Sequence, residues 1–131
     1  MQCLLGRYRS ALHYPRRGLA VAGVPVNERN RGSLMGALAE ACLGDGQVGP
    51  AVRYADLAVE AMRRADFRHG EAVALRRLGR MLFRRGDPVG GIQQLRLALA
   101  LFTEVGSAEA DEVRAELRAW TSRIPSAPSS A

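Results

Sequence analysis

The residues best placed to do chemistry are arginines. Arg76, Arg80 and Arg84 recur at i, i+4 and i+8, with Arg77 and Arg85 beside them. That spacing sets three guanidinium groups on one side of a helix. A planar guanidinium holds a carboxylate or phosphate through two parallel hydrogen bonds, so the chemistry offered is anion recognition. A solvated, self-repelling helix face would have the same spacing. The net charge of +6 points the same way, and all 19 basic residues are arginine. Such a surface attracts acidic peptide, phosphate or nucleic acid. An arginine-rich, lysine-free composition is also what a GC-rich genome produces.

Residues for other chemistries are not arranged to work together. His13 and His69 are the only histidines, and no Asp, Glu or Cys stands at ligand spacing from either. Asp45, Asp56, Asp66, Asp87 and Asp111 form no carboxylate pair, and neither Ser33 nor Ser107 lies in a nucleophile motif. Gly44 and Gly46 match no phosphate loop, which would also need a lysine. Cys3 and Cys42 are too few for a disulfide framework and fall in apolar helical patterns, as free buried cysteines do. The expectation is a protein that is not an enzyme and uses no metal or cofactor, in a reducing cytoplasmic setting. No signal peptide is expected at residues 1–5, and no apolar run is long enough to span a membrane.

The elements that must position the arginines come from an internal repeat. Gly6, Gly46 and Gly86 are spaced by 40 residues. In that register Ala11, Ala51 and Gly91 coincide, as do Leu12, Val52 and Ile92, then Gly18, Ala58 and Ala98, then Leu19, Val59 and Leu99. Upstream of the glycines, Met35, Leu38, Ala39 and Cys42 stand over Leu75, Leu78, Gly79 and Leu82. Each unit reads as two helices around a glycine turn.

The expected domain covers residues 1–124: a half repeat at 1–24, repeats at 31–65 and 71–105, and a capping helix at 107–123. Residues 23–30 read as a loop. Pro50 reads as the first residue of a helix, residues 68–70 as a connector, and Asp87 as a cap ahead of Pro88. Ser107 caps the last helix, whose thinner apolar stripe is Val113, Leu117, Trp120 and Ile124. Residues 125–131 are a Pro/Ser/Ala tail with no reason to fold. Hydrophobic residues at 47% can supply a core, and aromatics at only 5% suit closely packed helices.

These columns resemble the tetratricopeptide repeat family. Its pattern of a large residue, Leu-Gly or Leu-Ala, an apolar residue, Gly-x-Tyr, Ala and a later Ala is met by Leu75, Leu78-Gly79, Leu82, Gly86-x-Pro88, Gly91 and Ala98. The earlier copy gives Met35, Leu38-Ala39, Cys42, Gly46-x-Val48, Ala51 and Ala58, and the first gives Gly6-x-Tyr8, Ala11 and Gly18. The period of 40 exceeds the usual length of about 34. It is similar to the longer repeats of large actinobacterial transcriptional regulators.

The resemblance implies an all-α superhelix of antiparallel helix pairs that binds protein or peptide, with the first helix of each pair lining the groove. Glu40, Leu43, Arg76, Arg80, Phe83, Arg84, Glu116 and Trp120 then face that groove, and an acidic partner would suit its arginines. The Lys and Asn of the family's carboxylate-gripping members do not occur at these places. Trp120 either seals the array against Leu99 or Phe102 or anchors a partner. A nucleic-acid module using the net charge is the alternative, without a recognition-helix motif to support it. Tyr8, Ala11, Leu12 and Leu19 lack a preceding helix to pack on, so self-association through that half repeat, or a longer natural chain, is expected. Pro15 kinks or delays that helix, since an interior proline costs about 3 kcal/mol.

Overall fold

A computed structural model describes residues 27–123. They form five helices: α1 (Glu28–Gly44), α2 (Val48–Arg64), α3 (Arg68–Arg84), α4 (Pro88–Glu104) and α5 (Glu109–Arg123). No strand occurs among the described residues. The described residues are an all-α array of antiparallel helix pairs, α1 with α2 and α3 with α4. Helix α2 joins the pairs, and α5 packs on α4.

The links explain the regularity. The first four helices each run 17 residues and each ends on one left-handed residue. Those residues are Gly46 (φ 77°), Asp66 (φ 52°), Gly86 (φ 95°) and Gly106 (φ 71°), recurring every 20 positions. The residue after each one donates its N–H back into the last turn: Gln47 to the Cys42 carbonyl, Phe67 to Met62, Asp87 to Leu82 and Ser107 to Phe102. These bonds satisfy carbonyls that a helix end would otherwise leave open. Gln47, Phe67 and Asp87 are also the N-caps of the next helices. So short a link leaves the chain no choice but to fold back antiparallel.

The structural rhythm is thus 20 residues, half the repeat visible in sequence. Asp66 hides the halving, because the sequence shows no glycine there.

Several boundaries differ from expectation. Residues 68–70 are the first turn of α3, not a connector. Gly70 suggests a break, but it is helical and buried because a Cβ there would lie 2.5 Å from the Phe67 ring. Pro50 is the third residue of α2, still within the turn whose N–H groups have no helical partner. Helix α1 begins at Glu28, inside the expected loop, because the Asn27 side chain accepts from the Arg29 N–H and caps it. As expected, Asp87 caps α4, accepting from the Gly90 N–H. The Ser107 Oγ accepts from the Glu109 N–H ahead of α5.

The core threads through all five helices, with Leu38, Ala39, Cys42, Ala51, Ala55, Ala72, Leu95, Ala98, Phe102 and Val113 fully buried. The two hairpins differ at their crossing. Gly79 and Gly91 bring the α3 and α4 backbones together: a Cβ on Gly91 would stand 2.7 Å from the Gly79 carbonyl oxygen. The same columns of the first hairpin hold Ala39 and Ala51.

Candidate functional site

The first helices of successive pairs reach one another through their side chains. Between α3 and α5, contacts pair residues about 40 positions apart: His69 with Glu109, Arg76 with Glu116, Phe83 with Trp120. The residue numbers rise together, so α3 and α5 run parallel. Helix α1 touches α3 on the other side.

Arg76 is the centre of this row. Its Nε donates to Glu116 Oε1 at 2.7 Å, and its Nη1 lies 3.5 Å from Glu112 Oε2 and 3.6 Å from Glu109 Oε2. Its side chain is only 16% exposed. Arg80 Nε donates to the other Glu116 oxygen, also at 2.7 Å. Glu116 therefore accepts from two guanidinium groups at once. Its burial pushes the carboxyl pKa up, but the hydrogen bonds from Arg80 and Arg76 and the charges of both arginines outweigh burial and hold it below the ordinary glutamate range.

One helical turn further on, the Phe83 and Trp120 rings meet with centroids 4.6 Å apart, tilted by 31°. At the opposite end, His69 Nε2 lies 3.2 Å from Glu109 Oε1, and its ring meets Phe102 edge-on at 5.6 Å. On the α1 side, Arg77 Nε donates to Glu40 Oε1 at 2.9 Å, and Arg77 also covers Gly36.

Of the eight expected groove residues, the fold joins Arg76, Arg80 and Glu116 in one cluster and Phe83 with Trp120 in another. Glu40 belongs to a separate contact with Arg77. Leu43 is half-buried against the core, and Arg84 is exposed in the last turn of α3, where no ion pair reaches it among the described residues. The Trp120 ring pairs with that of Phe83, and Trp120 packs against the core as Leu99 does. Tyr8, Ala11, Leu12 and Leu19, with the half repeat at 1–24 and the tail, lie outside the described residues.

Sequence reasoning passed over Glu109 and Glu112. A signal for them existed: Glu109, Glu112 and Glu116 stand at i, i+3 and i+7, one helical face, and the repeat sets that face beside the arginine row. Among the described residues no cluster of His, Cys, Asp and Glu could hold a metal ion. No helix among them is long and apolar enough to cross a membrane. No protein-family model, no curated protein and no solved structure matches the chain.

Proposed function

We propose that this chain is a non-catalytic protein-binding scaffold of the tetratricopeptide type. It would serve a bacterial regulatory or assembly protein in the cytoplasm, of the kind found in actinobacterial transcriptional regulators. The observation that carries the reading is the Arg76–Glu116–Arg80 cluster. Within this one chain, the α3 face already grips an acidic helix, so it has the geometry to recognise carboxylates presented at helical spacing. Phe83 adds an apolar contact at the end of the row, and Arg84 extends the charge beyond it. A nucleic-acid module is the weaker reading, because acids interleave with the arginines on this face.

Site-specific photo-crosslinking tests the proposal. A crosslinking residue replaces Arg84 on the α3 row or Leu97, which is half exposed on α4. A discrete protein adduct in source-cell extract from position 84 and not from 97 is the expected result. Adducts from position 97 alone, or a nucleic-acid adduct at position 84, contradict it.

A further inference from the structure

Helix α5 is bound differently from the other four. It buries only Ala110 and Val113, whereas α1 to α4 each bury five to seven residues. Leu117 and Trp120 are only half-buried against the core. What α5 lacks in apolar contact it makes up in polar reach. Glu109, Glu112 and Glu116 all meet Arg76, Glu116 also meets Arg80, and Trp120 covers Phe83. An element held by few apolar contacts opens at lower cost than the core around it. The pairs with an exposed partner, Arg76–Glu112 and Arg80–Glu116, are also the ones that salt screens.

We infer that α5 is an in-chain occupant of the α3 face, displaceable by a helical segment of the same design: carboxylates at i, i+3 and i+7 and an aromatic residue at i+11. The spacing is that of Glu109, Glu112, Glu116 and Trp120. It places all four on one side of a helix running parallel to α3. Arg76, Arg80 and Phe83 are the receiving residues. A partner helix must therefore outcompete α5, and the scaffold is closed until an acidic, aromatic-ended helix arrives. This inference rests on the scaffold reading and names the partner class for the same face.

The test uses the full chain and a synthetic peptide of residues 107–123 in which Trp120 is replaced by Phe. Trp120 of the chain is then the only tryptophan in solution. Binding is read from the anisotropy of a labelled peptide, and displacement from Trp120 emission. The expected result is saturable binding with a matched red shift of Trp120, both weakened by salt. Both should be absent with a peptide carrying Lys at the three glutamate positions. A Glu116→Gln chain, whose own helix is loosened, should take the peptide at several-fold lower concentration. Binding without a Trp120 shift overturns the displacement inference and leaves the scaffold reading standing. No binding to either chain overturns the inference, and photo-crosslinking from position 84 then decides the scaffold reading separately. Equal affinity of the two chains also overturns displacement.

Discussion

Arg76 and Glu116 join α3 to α5 through a hydrogen bond of 2.7 Å, between residues 40 positions apart. The separation equals the sequence repeat, so the pair links equivalent faces of successive first helices. The arginine row that reads in sequence as an open surface is, in the fold, the seat of the last helix.

Removing the carboxylate should therefore loosen α5 specifically. Glu116→Ala leaves Arg76 without its closest partner in a position with little access to water. Discounting for partial exposure of the pair, the cost is about 1–2 kcal/mol. Trp120 emission should shift to the red. Arg84→Ala, at a residue with no ion pair among those described, should change stability by less than about 0.5 kcal/mol. Denaturant midpoints of the two variants check this.

Acid should act on the same group. The folded-state pKa of Glu116 is lowered, so its contribution is present in full above the ordinary glutamate value of about 4.3. It declines as pH falls below that value and is gone once pH passes beneath the lowered folded value. In Glu116→Gln the neutral-pH stability should be smaller and the loss across this acid window shallower. Unfolding curves between neutral and acid pH measure both.

The glycine crossing of the second hairpin predicts an asymmetry between the repeats. In Gly91→Ala the new methyl meets the Gly79 carbonyl and the Phe83 backbone nitrogen, neither of which can move independently of its helix. Overpacking of about 1–3 kcal/mol outweighs the gain in helix propensity of up to about 1 kcal/mol. The equivalent Ala51 is already accommodated, so Ala51→Gly should destabilise through lost packing and propensity. Thermal melting of both variants tests the contrast.

The 20-residue rhythm gives a further prediction. Asp66 holds a left-handed conformation that glycine adopts freely. Asp66→Gly should stabilise the chain by up to about 1 kcal/mol, and Gly86→Ala should destabilise it by about 1–2 kcal/mol. A urea midpoint that falls for Asp66→Gly would contradict the reading of the links as one repeated turn.

Much of this architecture was legible in the residues. The spacing of Gly46 and Gly86, the apolar columns and the Asp87-Pro88 cap define helix pairs without any coordinates. The half-period was hidden because Asp66 does in the second link what glycine does in the others. The start of α3 was hidden because Gly70, a breaker by type, is there to make room for Phe67 and Met62. At the site, sequence singles out Arg76, Arg80, Phe83, Glu116 and Trp120. It does not say that they satisfy one another. That depends on α5 lying parallel to α3 within reach of its long side chains, a tertiary relationship that no local pattern encodes.

Helix α5 sits on the arginine row through ion pairs to Arg76 and Arg80 as well as through its short apolar stripe. Backbone hydrogen exchange across a salt series measures how far those ion pairs hold it. The α5 amides should exchange faster than those of α3 and α4 and accelerate several-fold as salt rises, while α3 and α4 stay protected. Exchange in α5 as slow as in α4, and unchanged by salt, would contradict it.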